Sequence, residues 1–220
     1  ALAKRGVSSG QWHVGQCMMG GCQGFEKQRR TGIKWIKKAA AQNHPPSLYT
    51  LSDLYRNGLG SPPSKSREKA DELLLKAANL GHALANTKLA SYYVDGTDGF
   101  EKDPVEAHFR ASIAFALDEK GKYTATWLGY FHLEHTIPEP SPYLACYYCN
   151  IAACNQENGL AGHMYSKALS RLYGHLYHVL ILGFDAMPAA FFWARKSRGK
   201  GCVEAMNEVK QWEIAGQKFC

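Results

Sequence analysis

The sequence predicts an all-α protein, an α-solenoid of about five helix-turn-helix repeats plus a final half repeat. Three observations predict it. An apolar anchor recurs at Val14, Leu51, Leu89, Leu128, Leu169 and Val209, with spacings of 37, 38, 39, 41 and 40 residues. A second, small anchor recurs at Gly32, Ala70, Ala107, Ala145 and Ala190, with spacings of 38, 37, 38 and 45. A period of this size marks stacked units, each too small to bury its apolar face alone. The composition fits a folded chain: 45% of the 220 residues are hydrophobic and 20% are charged. No apolar run approaches the roughly 20 residues that span a bilayer.

The predicted units cover residues 8–44, 45–81, 82–120, 121–159 and 160–200, with a half repeat or cap over 201–220, all within one repeat domain over 1–220. Repeat one reads Val14-Gly15, a turn with Gly21 and Gly24-Phe25, then Gly32, Trp35 and Lys38-Ala39-Ala40. In repeat two the spacing predicts a first helix over 48–57, because Leu48, Leu51, Leu54 and Tyr55 share one face. Ser52 is small where a neighbouring helix must come close. Gly58 and Gly60 end that helix, and Pro62-Pro63 marks the connector. A second helix is predicted over 67–80, with Ala70, Leu73, Leu74 and Ala77 as its inner stripe and Gly81 as its stop.

Repeat three follows with Leu89-Ala90, Tyr92-Tyr93, Gly96, Gly99-Phe100, Asp103 and then Ala107 and Ala114. Repeat four has Leu128-Gly129, a stiff connector from Pro138 to Pro142, then Ala145, Tyr148 and Ala152-Ala153. Repeat five has Leu169-Ser170, Leu172-Tyr173, extra residues around Tyr177 to Pro188, then Ala190, Trp193 and Lys196. Residues 201–220 read as the first helix of a sixth repeat, with Val209 and Gly216 in register. A solenoid end exposes an apolar face unless a cap covers it. The chain stops at Cys220 and starts at Ala1 without Met, so the expectation is a fragment of a longer protein.

These strings resemble the Sel-one-like repeat (SLR) family, whose repeats are close relatives of tetratricopeptide repeats. The best matches are Gly32 to Ala40, Lys69-Ala70 through Lys76-Ala77-Ala78 to Gly81-His82, and Leu51 to Tyr55 with Gly58. A tetratricopeptide array repeats every 34 residues. The surplus here sits mainly in the turn between helices, as in Gly96 to Phe100. The resemblance implies a right-handed α-solenoid (superhelix) that acts as an adaptor or scaffold and is not an enzyme. Two departures are Ser197-Arg198 in place of Ala-Ala and the missing glycine turn in repeats four and five.

The residues themselves offer little chemistry. Cys146-x-x-Cys149 with Cys154 has no second Cys-x-x-Cys to complete a four-ligand zinc site, and Cys149 lies one turn after Ala145 on the inner stripe. Buried small side chains are the better account, and no metal or cofactor is expected. Cys220 could begin a zinc knuckle in a further segment. No phosphate loop, His-Glu-x-x-His or Gly-x-Ser-x-Gly elbow occurs. Seven cysteines, an odd number, form no evident disulfide framework. With no secretory signal at the start, they read as reduced thiols of a cytoplasmic or nuclear protein. The in-register aromatics Trp35, Tyr55, Tyr93, Tyr148, Tyr173 and Trp193 read as core.

Two surfaces remain for a partner. The formal charge of +7 resides entirely in residues 1–44, where eight Lys and Arg face only Glu26. Lys27, Arg29, Arg30, Lys34, Lys37 and Lys38 make a basic patch. It is either a solvated helix face or a dock for an acidic partner or nucleic acid. The second surface is the concave wall, which in helical-repeat arrays comes mostly from the first helix of each repeat. Counting two before, two after and five after each anchor nominates Trp12 and Gln16; Tyr49, Asp53 and Arg56; Thr87 and Ser91. The same count gives Tyr130, Lys167, Arg171, Asn207 and Gln211 further along. This mix of aromatic, Arg and amide groups suits a protein or peptide partner. Nucleic-acid binding through the basic repeat is the alternative, without a paired aromatic platform to support it. The sequence leaves the oligomeric state open.

Overall fold

The computed structural model describes residues 2–59, 65–118, 121–134, 136–155, 159–176 and 187–214. Eleven helices and no strand occur among them. In order they are α1 (Ser8–Gly20), α2 (Arg29–Ala40), α3 (Pro45–Arg56), α4 (Arg67–Asn79), α5 (Ala83–Asp95), α6 (Pro104–Leu117), α7 (Lys122–Leu133), α8 (Pro142–Asn155), α9 (Gly159–Leu176), α10 (Met187–Gly199) and α11 (Val203–Ile214). Odd-numbered helices carry the apolar anchors and even-numbered ones the small anchors. Helix α4 starts where the sequence predicts and ends one residue earlier, while α3 begins three residues sooner, at Pro45. Proline fits there because the first helical turn lacks a carbonyl partner for its N–H in any case. Gly60, Pro62-Pro63, Val179 to Leu182, most of the insertion before Pro188, Cys220 and the Tyr173 side chain lie outside the described residues.

The chain packs as two compact units, Ala1–Lys102 and Asp103–Cys220. In the first, α1 lies on α2 and α3 on α4. The core joins Ile33, Ile36, Leu48, Leu51, Leu74 and Leu89, all at most 7% exposed. In the second, α7 lies on α8, α8 on α9 and α9 on α10. Its core is richer in alanine, with Ala125, Ala145, Ala152, Ala161, Ala168, Ala190 and Ala194 buried around Phe131, Leu133 and Val209. Small side chains let helix backbones approach, so packing replaces bulk.

All five small anchors are buried. Of the apolar anchors, Leu51, Leu89, Leu128, Leu169 and Val209 are buried and Val14 is only partly covered. The residue after the anchor explains two tight crossings. A Cβ on Gly15 would lie 2.9 Å from the Gly32 carbonyl oxygen, and one on Gly129 would lie 2.6 Å from Cys149 Sγ. Ser197, which departs from the Ala-Ala pattern, is buried against Gly162, where a Cβ would lie 2.4 Å from its Oγ. A small residue is needed there, and serine meets the need.

The turns carry their own logic. Asp103 caps α6 by accepting from the N–H groups of Val105 and Glu106, both at 3.0 Å. Gly96 ends α5 in the left-handed region at φ 64°, which glycine enters without steric cost. No helix among the described residues is long and apolar enough to cross a membrane.

Candidate partner-binding faces

In the first unit α1, α3 and α5 bring most of the nominated residues onto one face. Trp12 Nε1 and Gln16 Nε2 both donate to Thr50 Oγ1, at 3.4 and 3.1 Å. Thr50 in turn donates to the Pro46 carbonyl at 2.8 Å, so α1 is tied to the neighbouring α3. The Tyr49 ring lies 5.0 Å from the His82 ring, and Lys88 Nζ lies 5.6 Å from its centroid. Lys88 also pairs with Asp53, linking α3 to α5. Burial pushes the Tyr49 hydroxyl up, with Asp53 adding to the effect. Thr87 turns its hydroxyl back to the Ala83 carbonyl at 3.0 Å, and Ser91 is half-buried beside it. Trp12, Gln16, Tyr49, Asp53, Thr87 and Ser91 are all partly exposed, so the face is ordered yet reachable.

Arg56 is held differently. Its side chain is only 11% exposed and pairs with Asp71 and, at 3.0 Å, with Asp98. The guanidinium lies 4.8 Å from the Tyr92 ring centroid. It joins α3 to α4 and to the turn after α5, so a partner would compete with two carboxylates for it. Thr50 and Lys88 were not nominated, although both precede an anchor leucine by one residue. His44 and His82, 38 residues apart, sit at the starts of α3 and α5. His82 Nδ1 accepts from the Ala85 N–H at 3.2 Å, and His44 Nδ1 lies 2.9 Å from Ser47 Oγ. Burial lowers both pKa values, and the neighbouring His44 lowers that of His82 further.

In the second unit Tyr130 is 37% exposed and meets Trp127 edge-on at 6.2 Å. Lys167 and Arg171, one turn apart on α9, both face Glu134: Lys167 Nζ donates to one carboxylate oxygen at 2.6 Å, and an Arg171 nitrogen lies 3.8 Å from the other. Asn207 and Gln211 are exposed on α11.

The basic patch is surface. Lys27, Arg29, Arg30, Lys34 and Lys38 are exposed, and Lys37 is partly covered, 6.0 Å from the Tyr55 ring centroid. Lys38 Nζ lies 4.9 Å from the Trp35 centroid, which is itself partly covered. The in-register aromatics Trp35, Tyr55, Tyr93, Tyr148 and Trp193 are likewise partly covered, whereas Tyr92, Phe131 and Phe191 are the buried Tyr and Phe side chains among the described residues. The rings therefore line the core with one edge in water, as amphipathic side chains do.

A set of exposed apolar residues that sequence reasoning missed lies on the second helices of the second unit. Val105 and Phe109 on α6, Tyr143 and Tyr147 on α8, and Phe192 on α10 are each more than half exposed. They sit two residues before or after a small anchor. The same positions hold Arg30 and Lys34 in repeat one and Glu68 and Glu72 in repeat two. The signal was present in that switch from charged to apolar at fixed register.

The cysteines divide by burial. Cys149 is buried with Ala145 and Ala168, and burial pushes its thiol up to about 12. Burial also raises Cys146, to about 11. Cys154 is exposed and its thiol donates to Asn150 at 3.5 Å. Among the described residues no group of three or more His, Cys, Asp or Glu is placed to hold a metal ion.

Comparison with known proteins identifies the pattern. The Sel1 repeat model matches residues 8–44, 45–82 and 83–109. The chain is 28% identical over 123 residues to the chitin synthase regulator SKT5 of Saccharomyces cerevisiae, covering 53% of this chain and 18% of that protein. It thus spans about a fifth of that relative's length. In structure it resembles a Sel1 repeat protein from Oxalobacter formigenes, with a TM-score of 0.69 at 24% identity over 92% of this chain and 77% of the other. It also resembles a protective antigen of uropathogenic Escherichia coli displaying an SLR fold, with a TM-score of 0.62 at 17% identity over 96% and 50%.

Proposed function

From Sel1 repeats over residues 8–109 and an all-α repeat fold shared with solved Sel1 repeat structures, we propose that this chain is a non-catalytic scaffold or adaptor. In this reading it binds a protein segment along the concave wall made by its first helices. The observation that carries the reading is the ordered, half-exposed face of α1, α3 and α5, where Trp12, Gln16 and Tyr49 reach the next repeat's residues while keeping accessible surface. Rigid aromatic and amide groups held in place lose little entropy on binding. The yeast relative is named as a regulator of chitin synthase, a role that fits an adaptor. The resemblance to Sel1 repeats implies a scaffold that binds proteins, and that expectation supports the reading. The exposed cations of α2 support nucleic-acid binding as a second reading.

The test is capture of partners by the chain at low and high salt, with and without nuclease. A protein retained under all conditions, and lost from the Thr87→Arg/Ser91→Arg variant with unchanged helicity, supports the first reading. Capture that ignores this variant rejects the proposed wall. Binding that falls steeply with salt and vanishes with nuclease moves the site to Arg30, Lys34 and Lys38.

A further inference from the structure

The second unit holds a cleft of about 380 Å³ between α7, α8 and α9, within the range of small-ligand sites. Pro140 and Pro142 give it half-exposed apolar walls over a buried floor of Leu133, Ala145 and Ala168, and His132 and Arg171 are its polar members. Arg171 is incompletely paired. Its Nη2 lies 3.8 Å from a Glu134 oxygen, and the other oxygen already accepts from Lys167. Its Nη1 is buried without any hydrogen-bond partner. A buried N–H left unmade is costly, more so on a charged group. Two cations sharing one carboxylate leave a positive surplus at the cleft.

His132 adds a neutral donor. Its Nδ1 accepts from the Ser141 N–H at 3.2 Å, which leaves the ring proton on Nε2. The ring stacks on Tyr148 at 5.9 Å and is held between that residue and His108. The cleft thus offers cationic donor capacity beside aliphatic walls.

Resting on the scaffold reading above, we propose that this cleft binds the free C-terminal carboxylate of a partner peptide that ends in an aliphatic residue. The carboxylate sits on Arg171 and the last side chain lies against Pro140 and Pro142, above the buried Leu133, Ala145 and Ala168. Charge complementarity selects the anion, and the walls select its neighbour. A chain terminus carries both on one Cα. An internal Asp or Glu would instead bring two flanking peptide groups against walls that offer them few partners, and unpaired buried amides are penalised.

The probe is N-acetyl-leucine against N-acetyl-leucinamide, followed through the methyl resonances of Leu133, Ala145 and Ala168. The acid is expected to shift them saturably and at least about tenfold more tightly than the amide, the scale of a charge-assisted hydrogen bond. Arg171→Met, which keeps the stem, is expected to lose that preference, while Arg195→Met on α10 keeps it. Equal binding of acid and amide, no shift with either, or wild-type preference in Arg171→Met overturns the proposal. So does N-acetyl-aspartyl-leucinamide binding as tightly as N-acetyl-leucine, which would assign Arg171 to internal acidic residues. The acid-against-amide comparison uses the unaltered chain, so it decides even if Arg171→Met fails to fold. A partner captured by the first-helix wall but indifferent to a blocked C-terminus would leave the scaffold reading standing and remove this one.

Discussion

Replacing Gly32 by alanine sets helix propensity against helix packing. Gly32 lies inside α2, and alanine is preferred to glycine in a helix interior by about 0.8–1.0 kcal/mol. On propensity alone Gly32→Ala stabilises. The crossing with α1 says otherwise. The new Cβ would lie 2.6 Å from the Gly15 carbonyl oxygen, 2.7 Å from Met19 Cγ and 3.0 Å from the Met19 backbone nitrogen. The Met19 side chain can move, but the two backbone atoms move only if α1 and α2 separate. Overpacking of this kind costs about 1–3 kcal/mol, and a clash with backbone belongs in the upper half of that range. The net expectation is a loss of about 1–2 kcal/mol, a fall of several degrees in melting temperature for a chain of this length. Gly20→Ala is the control, because its nearest new neighbour is Cys22 Sγ at 4.0 Å, an open site. Urea unfolding followed by circular dichroism gives both values. A Gly32→Ala chain at least as stable as the wild type, or indistinguishable from Gly20→Ala, would refute the close-crossing argument.

Three further outcomes are expected. Leu74→Ala, at a fully buried core position, should cost about 2–5 kcal/mol by the same unfolding assay. Burial lowers the folded pKa of His82, so the unfolded chain binds its proton first as pH falls. The stability it supports is therefore complete above the unfolded value of about 6.5 and is lost as pH drops from there towards the folded value. His82→Asn keeps an acceptor for the Ala85 N–H and should flatten that part of the stability–pH curve relative to the wild type. Iodoacetamide at mildly alkaline pH, read by peptide mass spectrometry, should label exposed Cys22 and Cys154 while Cys149 stays unmodified until the chain unfolds.

The repeat register was legible because close packing of helices demands small residues at fixed spacing. Gly15 with Gly32, and Gly129 with Cys149, are two such crossings. The nominated face was legible in part. Trp12, Gln16 and Tyr49 share a surface because residues two positions from the anchor flank the buried stripe on the same helix. Arg56 looked like one more member of that face. Its partners Asp71 and Asp98 lie 15 and 42 residues away, and no local pattern announces that two carboxylates will converge on it. The exposure of Phe109, Tyr147 and Phe192 was missed for a related reason: a helical apolar residue reads as core until the neighbouring helices are known to cover a different side.

The sequence by itself determined the all-α class and the register of the small anchors that are buried. These follow from periodicity, turn residues and the absence of a side chain at crossing points, all of which are local. Only the tertiary structure decided which polar groups are spent inside the chain and which remain for a ligand. Glu134 is shared by Lys167 and Arg171, Asp53 is taken by Lys88, and Nη1 of Arg171 is left unpaired beside an apolar cleft. Whether a charge is satisfied depends on what other repeats bring within about 3–4 Å of it, and that distance is set by packing between helices rather than by spacing along one.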